Sequence, residues 1–372
     1  MPGERSAAFA PGRVNLIGEH TDYNEGLALP FAIAEGVTVR AQAIAGERVS
    51  AHALDLSEDD EFDLAAPAPA LGWRAFVRGT VAELARAGHP LRAAEVLIGG
   101  DVPPGSGLSS SAALEVALCL ALIELGASAT APDAGVSRPG AGGGVSPPGA
   151  RPALDRVELA RVCARVENEW VGAHTGLLDQ LASLCGEREH ALYIDFRALS
   201  VQPVPLVLGD WRLAVLDSGE RHAHASSGYN RRREECAQAC ELLGVRSLRD
   251  ADPELLAQLP EPLRRRATHV LSENARVRAA VRALHAGDLP ALGELLNASH
   301  ASLRDDYEVS TPAVEQAVQR LREAGASGAR IVGGGFGGIV LGLFAPGVRP
   351  PAQARAVQPS AGAHLLDAIL AK

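Results

Sequence analysis

One helix with almost no polar face limits how this chain can fold. Residues 110–125 read SSAALEVALCLALIEL, and a helix that is apolar nearly all round has to be buried. Just before it, Pro103 and Pro104 end a predicted strand, and the two glycines that follow allow a tight turn. We therefore predict a buried helix that begins directly after a glycine-rich turn.

The start of this helix predicts a phosphate site. A helix N-terminus presents unpaired N–H groups and about half a positive charge, and glycines let the backbone approach an anion closely. The alternative is an ordinary serine N-cap, which does not require the run GSGLSSSA and usually precedes a helix with a polar face. We favour phosphate binding. The predicted loop comprises Gly105, Ser106, Gly107, Leu108, Ser109, Ser110 and Ser111.

The composition excludes several kinds of chemistry. The only lysine is Lys372, so a Walker A lysine, a Schiff-base lysine and a protein-kinase strand lysine are all ruled out. Phosphate chemistry must then use arginine, a metal ion, backbone N–H groups and helix dipoles. The net charge of −10 argues against a nucleic-acid partner, and 372 residues are enough for two domains.

The sequence also predicts a soluble cytoplasmic protein without a membrane partner. The longest apolar run, Ala112 to Leu125, is interrupted by Glu115 and Glu124 and is too short to span a bilayer. The first residues contain no apolar signal segment. The five cysteines are an odd number without a CxxC pair, which is typical of buried thiols in a reducing compartment.

Strand and helix patterns interleave without a regular period, which favours an α+β fold. Alternation predicts strands at 36–44, 92–98, 191–196 and 212–217. Helices are predicted at 110–125, from an N-cap at Asp155 to Trp170, and at 229–243, 262–286, 289–303 and 311–324. Two strand-like runs flank the glycine-rich segment 333–338. Residues 128–152 are rich in Gly, Pro, Ala and Ser and are predicted to form a mobile insertion.

The segment GRVNLIGEHTDYNEG, residues 12–26, gathers more varied polar groups than a solvated turn needs. Glu19, His20 and Asp22 could bind zinc, but no matching His or Cys cluster lies nearby in the sequence. They could instead bind the hydroxyl groups of a sugar. A plain turn is the third interpretation, and the apolar residues on both sides argue against it.

Two further acids stand out between residues 167 and 184. Glu167 lies at the flank of an apolar helical stripe, and Asp179 precedes an apolar run. A buried carboxylate is costly unless it pairs with a cation, and Arg13 is the natural candidate for Asp179. The alternative for Asp179 is a helix N-cap, and this segment alone leaves both open.

Together these segments resemble the galactokinase family of the GHMP small-molecule kinases. GRVNLIGEHTDYN resembles the family signature almost letter for letter, PPGSGLSSSAALEVA resembles its phosphate loop, and RIVGGGFGGIV resembles its C-terminal motif. The resemblance implies an α+β fold of two domains with the active site in the cleft between them. Residues 1–205 would form a mixed α/β domain that binds sugar and ATP, and residues 206–372 a ferredoxin-like domain.

The resemblance also implies the role of each site residue. The implied sugar-binding residues are Glu19, His20, Thr21, Asp22, Gly176 and Tyr229. The implied magnesium ligands are Ser111 and Glu167, and the implied catalytic residues are Asp179 and Arg13. The phosphates of ATP would bind the loop from Gly105 to Ser111.

The implied reaction is transfer of the γ-phosphoryl group of ATP to the C1 hydroxyl of α-D-galactose, with Mg²⁺ as cofactor. Asp179 would accept the sugar proton or orient the hydroxyl, and we expect galactose and ATP as partners of a monomer. Two alternatives stay open at this point. One is a related sugar 1-kinase acting on N-acetylgalactosamine or an arabinose-like sugar, and the other is a non-catalytic sensor of galactose and ATP.

Two smaller clusters are given structural interpretations. His269 and Glu273, four residues apart on a predicted helix, suggest a surface or capping pair rather than a metal site. The arginines at 231–233 suggest a solvated helix face.

Overall fold

The computed structural model describes residues 4–102, 107–128, 155–173, 175–220 and 225–367. Gly105 and Ser106 of the predicted phosphate loop lie outside the described residues, as do residues 129–152 of the predicted insertion.

Within these ranges the chain forms thirteen strands and eight α-helices. The strands are β1 (Arg5–Asn15), β2 (Leu27–Ala28), β3 (Pro30–Ala43), β4 (Arg48–Ala53), β5 (Glu58–Asp63), β6 (Ala94–Gly100), β7 (His190–Asp195), β8 (Ser200–Pro205), β9 (Arg212–Asp217), β10 (Ala326–Ile331), β11 (Ile339–Phe344), β12 (Arg355–Val357) and β13 (His364–Leu365). The helices are α1 (Trp73–Arg86), α2 (Ser110–Ser128), α3 (Arg156–Arg165), α4 (Leu178–Cys185), α5 (Ala225–Leu243), α6 (Leu263–Ala286), α7 (Leu289–Asp305) and α8 (Pro312–Glu323).

The largest sheet packs against the apolar helix. Its six strands have the order β13-β1-β3-β6-β4-β5, and neighbouring strands are antiparallel except β4 and β6. Helix α2 packs on β1 and β3. Val39 and Val96 of the sheet share an apolar cluster with Ala117 and Leu118 of the helix, and all four are fully buried. The predicted burial of this helix is confirmed.

Helix α2 extends to Ser128, beyond the predicted end at residue 125. Among the described residues it is the one helix long and apolar enough to cross a membrane, judged by length and composition alone. The prediction that this segment is too short to span a bilayer therefore does not hold for the whole helix. However, 67% of its most apolar window is buried inside the protein, as in a core helix.

A four-stranded antiparallel sheet, in the order β10-β11-β9-β12, forms the centre of the second half of the chain. Helices α7 and α8 pack on β10, and α5 packs on α6. The two predicted strand-like runs are β10 and β11, which pair directly on either side of the glycine-rich segment. The predicted α+β class is confirmed.

An apolar cluster joins the end of β1 to this second sheet. It contains Leu16 and Ile17, which follow β1, together with Leu213, Val215 and Leu341 of β9 and β11. The residues that follow β1 are therefore held between the two large sheets. The predicted domain boundary between residues 205 and 206 stays a prediction.

The helix predicted from Asp155 to Trp170 is present in two parts. The Asp155 side chain accepts hydrogen bonds from the N–H groups of Val157 and Glu158, so it caps α3 as predicted. After Arg165 the chain continues as a π-helical turn, Val166–Val171. Such wider turns often occur at functional sites because they change the direction of a side chain, and this one contains Glu167.

Replacing Gly126 by alanine tests how tightly α2 is enclosed. A Cβ atom at this position would lie 1.8 Å from the carbonyl oxygen of Pro90, so backbone has to move. We expect the free energy of unfolding in urea to fall by about 1–3 kcal/mol, the usual cost of overpacking. This loss would outweigh the gain in helix propensity of about 1 kcal/mol.

Gly99→Ala is the matched control, because its Cβ would make an ordinary 3.5 Å contact with Leu54. Equal stability of the two variants would show that the backbone at Pro90 does not confine α2 at Gly126.

Candidate active site

An ion pair between Arg13 and Asp179 lies at the centre of the site. Nε and Nη2 of Arg13 donate to Oδ1 and Oδ2 of Asp179 at 2.7 and 2.8 Å. Nη1 donates to the carbonyl oxygen of Gly107 at 2.7 Å. Arg13 is only 6% exposed, whereas the side chain of Asp179 is 29% exposed, so this bidentate, charge-assisted pair is buried on the arginine side and accessible on the carboxylate side. The predicted contact between Arg13 and Asp179 is confirmed.

Asp179 lies in the first turn of α4, where a negative charge interacts favourably with the helix dipole. The N-cap position is occupied by Leu177, so the N-cap interpretation of Asp179 is wrong. Its Oδ2 also accepts a hydrogen bond from the hydroxyl of Ser109. Three donors therefore fix the two oxygens of one carboxylate.

The described part of the predicted phosphate loop, residues 107–111, runs into the N-terminus of α2. Ser109 has φ 61°, in the left-handed region, and this turn directs its hydroxyl toward Asp179. The side chain of Leu108 is buried in the apolar core, and its carbonyl oxygen accepts from the N–H of Arg13 at 3.0 Å. The loop thus fixes Arg13 and Asp179, and phosphate binding by its backbone stays a prediction.

The polar residues after β1 are tied to the glycine-rich segment 333–338. Glu19 accepts a hydrogen bond from the N–H of Gly333 at 2.7 Å. His20 Nε2 lies 3.2 Å from the carbonyl oxygen of Gly334 and donates to it. His20 Nδ1 then accepts from the hydroxyl of Tyr23 at 2.9 Å. The glycines therefore allow the backbone of this segment to approach the side chains of the N-terminal signature.

Gly176 is required by the position of Asp22. A Cβ at residue 176 would lie 2.0 Å from Oδ2 of Asp22 and 2.7 Å from its Cγ. Any larger residue would displace the carboxylate. The sequence motif around residue 176 is therefore tied physically to the signature motif.

Burial controls the charges in this part of the site. It raises the pKa of Asp22 from the ordinary 3.8 to about 6, and the nearby charges of Asp179 and Glu19 act in the same direction. Burial lowers the pKa of His20 to about 3, so the imidazole is neutral at pH 7. Burial, with Asp22 nearby, also keeps the pKa of Tyr229 well above 10. At pH 7 these groups offer carboxylate acceptors, a neutral imidazole and a phenol.

Glu167 is surrounded by hydroxyl and amide groups. It accepts hydrogen bonds from Ser111 Oγ and Gln180 Nε2, both at 3.0 Å, and from the hydroxyl of Thr175. Burial raises the pKa of Glu167. A carboxylate beside a serine hydroxyl is an oxygen donor set that fits Mg²⁺, which usually takes one or two carboxylates and completes its shell with water and phosphate oxygens.

A cluster of three or more His, Cys, Asp or Glu side chains that could hold a metal ion by itself was not found in the described part of the chain.

Nine of the predicted residues line one cavity of about 390 Å³, and of the described phosphate-loop residues only Ser111 is among them. Those of its lining residues that were predicted from the sequence are Arg13, Glu19, His20, Asp22, Ser111, Glu167, Gly176, Asp179 and Tyr229. The prediction that Thr21 contacts the sugar is wrong, because Thr21 is fully buried and does not line the cavity. Its hydroxyl bonds with the carbonyl oxygens of Gly18 and Leu27, so Thr21 shapes the loop instead of facing a ligand.

Sequence reasoning missed other residues of the cavity wall, among them Thr175 and Asn230. Each is the direct neighbour of a predicted residue, Gly176 or Tyr229. Their position next to a predicted residue is the sequence signal that could have identified them.

The interpretation of His269 and Glu273 as a surface or capping pair is wrong, because both are fully buried. His269 Nε2 donates to the carbonyl oxygen of Glu19 at 3.1 Å. Glu273 accepts from the N–H of Gly18 at 2.9 Å and pairs with Arg276 at 2.6 Å. Helix α6 therefore fixes the backbone of the signature loop with charged and polar groups.

The solvated-face interpretation of residues 231–233 is wrong for the middle arginine. Arg231 and Arg233 are exposed, but Arg232 is buried. Its Nε donates to the carbonyl oxygen of Tyr307 at 2.6 Å, and the Tyr307 ring packs 4.7 Å from the His20 ring.

Comparisons with known proteins agree with this arrangement. Three family models match: the galactokinase galactose-binding signature at residues 2–43, the GHMP kinases N terminal domain at 75–135, and GHMP kinases C terminal at 280–364. The chain is 41% identical to galactokinase of Roseiflexus sp. (strain RS-1), covering 90% of this chain and 82% of that one. It is 39% identical to galactokinase of Streptomyces coelicolor, covering 96% and 93%.

Solved structures give the same result. The crystal structure of Lactococcus lactis galactokinase complexed with galactose matches with a TM-score of 0.85 and 32% identity, over 98% of this chain and 95% of that one. The Methanococcus jannaschii mevalonate kinase matches with a TM-score of 0.61 at 16% identity, covering 92% and 91%, and so shares the fold.

The relatives cover most of both chains at about 40% identity, and the galactose-binding signature falls on β1 and the loop that carries Glu19, His20 and Asp22. The predicted resemblance and the predicted two-part GHMP fold are therefore confirmed, and this chain belongs to the galactokinase family.

Proposed function

We propose that this protein transfers the γ-phosphoryl group of ATP to the C1 hydroxyl of α-D-galactose, giving α-D-galactose 1-phosphate and ADP. One observation carries the proposal. A single cavity contains the Arg13–Asp179 pair, a set of groups suited to sugar hydroxyls, and a set suited to a phosphate-bound cation. Membership of the galactokinase family supports galactose as the sugar, as does the match to a galactokinase that was crystallised with galactose.

At the sugar end, Glu19 and Asp22 would accept hydrogen bonds from hydroxyl groups. Tyr229, whose raised pKa keeps the phenol protonated, would donate one. His20 is neutral and packs against the Tyr229 ring at 5.2 Å between centroids. Gly176 has no side chain and therefore leaves room for the carboxylate of Asp22 in this position. Such enclosed polar groups discriminate strongly, because a sugar that lacks a hydroxyl leaves its partner unpaired.

At the phosphate end, Ser111 and Glu167 would hold Mg²⁺. Bound magnesium would supply positive charge to the phosphate oxygens during transfer. The N-terminus of α2 would contribute its N–H groups and its dipole to phosphate binding. In a chain whose only lysine is Lys372, these groups and Arg13 replace the lysine of other phosphate-binding motifs.

Between the two ends, Asp179 would accept the hydrogen bond of the C1 hydroxyl and take its proton. The sugar oxygen would then bond to the γ-phosphorus while the bond from that phosphorus to the β–γ bridging oxygen breaks. Arg13 would hold Asp179 in position through two hydrogen bonds and stabilise negative charge on the transferring group. Such reactions depend mainly on positioning and on charge stabilisation.

We also propose that the protein is a cytoplasmic monomer. All five cysteines are free thiols, which suits a reducing compartment. The proposed catalytic, sugar-binding and magnesium-binding residues line one cavity of one chain, which is compatible with a monomer.

The direct test is to incubate the protein with magnesium, ATP and a panel of sugars and to measure ADP release. The panel contains galactose, N-acetylgalactosamine, arabinose and glucose, and phosphorus NMR identifies the phosphorylated carbon. We expect ADP release with galactose and a phosphate at C1. No release with galactose would refute the proposal, and a faster reaction with another sugar would change the substrate.

Asp179→Asn should lower kcat by about 10²–10⁴-fold, the usual effect of losing a general base. The amide keeps the shape of the side chain but loses the charge that pairs with Arg13. Steady-state kinetics would measure kcat, and circular dichroism would confirm the fold. Asp305→Asn is the matched control, because Asp305 pairs with Arg304 on the exposed surface. Turnover of Asp179→Asn near that of the control would show that Asp179 does not take the proton.

Galactose affinity should fall as the pH drops below about 6. The pKa of Asp22 in the free protein is raised to about 6, so below this pH the carboxyl becomes neutral and is a poorer acceptor. If galactose binds the ionised form, its Kd rises by up to about tenfold per pH unit below the pKa. Isothermal titration calorimetry from pH 5 to pH 8 would measure the Kd for galactose. ATP is left out because its phosphates also change protonation in this range.

Asp22→Asn is the comparison for this profile, because its side chain does not titrate. We expect weaker binding with a much flatter pH dependence. A profile as steep as that of the unmodified protein would assign the pH dependence to another group, such as Glu19.

A further inference from the structure

Arg330 of β10 is a fully buried cation that none of the steps above uses. Its side chain is 0% exposed and is among the largest fully buried side chains of the protein. Nη1 donates to the carbonyl oxygens of Asn15 at 2.9 Å and Leu16 at 3.1 Å, where β1 ends. Nε and Nη2 have no hydrogen-bond partner among the described residues. A guanidinium in such a position is costly unless its charge is balanced nearby.

Arg330 forms an ion pair with the carboxylate of Glu19. Nη2 of Arg330 lies 3.5 Å from Oε1 of Glu19, and the same oxygen accepts from the N–H of Gly333. One short segment, 330–333, therefore brings both a positive charge and an N–H donor to a single carboxylate oxygen. Glu273 also lies near Arg330, but it is paired with Arg276 at 2.6 Å.

Arg13 is directed mainly toward other partners. It donates two hydrogen bonds to Asp179 and one to the carbonyl oxygen of Gly107, whereas the ion pair with Glu19 is made by Arg330. Glu19 is only 5% exposed, and burial raises its pKa while the charges of Arg330 and Arg13 oppose that change. Without a nearby cation, a carboxyl this deeply buried would favour its neutral form.

We propose that Arg330 is a positioning residue for galactose binding, and that its buried charge holds the Glu19 carboxylate in place as an acceptor for sugar hydroxyls. This inference rests on the proposed function, in which Glu19 binds the sugar. It assigns part of the sugar selectivity to a residue that does not line the cavity.

The test uses Arg330→Gln, which keeps an amide donor for the carbonyl oxygens but removes the charge, and Arg330→Lys, which keeps the charge. Arg320→Gln is the matched control, because Arg320 lies on the exposed face of α8 and bonds with Gln353. Calorimetry with galactose alone measures affinity in the full chain, and steady-state kinetics measures KM for ATP.

We expect Arg330→Gln to weaken galactose binding by at least about tenfold, the scale seen when one partner of a buried charge pair is removed. Arg330→Lys should recover most of this loss, and Arg320→Gln should bind as the unmodified protein does. KM for ATP should change by less than about twofold in all three. Unchanged galactose binding in Arg330→Gln would overturn the proposal.

A double-mutant cycle with Glu19→Gln separates positioning from a general structural role. If Arg330 acts through the charge of Glu19, adding Arg330→Gln to Glu19→Gln should cost less than about twofold in galactose affinity. A cost as large as in the unmodified background would overturn the proposal and make Arg330 a structural residue. If the unmodified protein binds no galactose, the proposed function fails and this inference fails with it.

Should Arg330→Gln not fold, the pH dependence of Arg330→Lys decides. The shorter lysine places its charge farther from Glu19, so galactose binding should weaken at a higher pH than in the unmodified protein. The charged and titratable groups around Glu19 and Asp22 are Arg13, His20, Tyr23, Asp179, Tyr229, His269 and Arg330. Galactose binding by Arg330→Lys that is equally weak at every pH from 5 to 8 would overturn the proposal, because the retained charge would then not support Glu19.

Discussion

The site depends on the ion pair between Arg13 and Asp179, because the same arginine also bonds with Gly107 and so connects three chain segments through directional hydrogen bonds. Arg13 belongs to the end of β1, Asp179 begins α4, and Gly107 precedes α2. A guanidinium offers five N–H donors in a fixed plane, so a carboxylate and a carbonyl that satisfy it are fixed in direction as well as in distance. Helix α2 is apolar nearly all round and supplies the packing, whereas the arginine supplies the orientation.

The sugar end shows a second principle, since the side chains of its signature loop come from the first half of the chain but are fixed by the second half. Helix α6 binds the backbone of the signature loop through His269 and Glu273. Behind His20, the Tyr307 ring packs at 4.7 Å, and the carbonyl oxygen of Tyr307 accepts from the buried Arg232. Polar groups fixed in this way before a sugar arrives need little reorganisation on binding, which favours both affinity and selectivity.

Much of this could be predicted because the local signals agreed with the fold. The helices from α5 to α8 follow their apolar periodicity, and the pairing of Arg13 with Asp179 follows from the cost of a buried charge. Strand β1 was missed because Pro11 and Gly12 interrupt its pattern, and the register shifts at that point. The burial of His269 and Glu273 could not be predicted either. A spacing of four residues indicates one helix face, but only the tertiary packing of α6 decides whether that face meets solvent or the signature loop.

The four acids of the site differ in how their negative charge is compensated. A site for anionic phosphates contains four carboxylates, at Glu19, Asp22, Glu167 and Asp179. Asp179 is paired with Arg13, and Glu19 lies beside Arg330. Glu167 lies among hydroxyl and amide donors where a divalent cation fits.

Among the described residues no arginine pairs with Asp22, and burial with two neighbouring negative charges raises its pKa to about 6. In a chain without internal lysine every compensating charge of this kind must be an arginine or a metal ion. Asp22 has neither, so it is expected to contribute to the pH dependence of sugar binding, together with Glu19, whose pKa burial also raises.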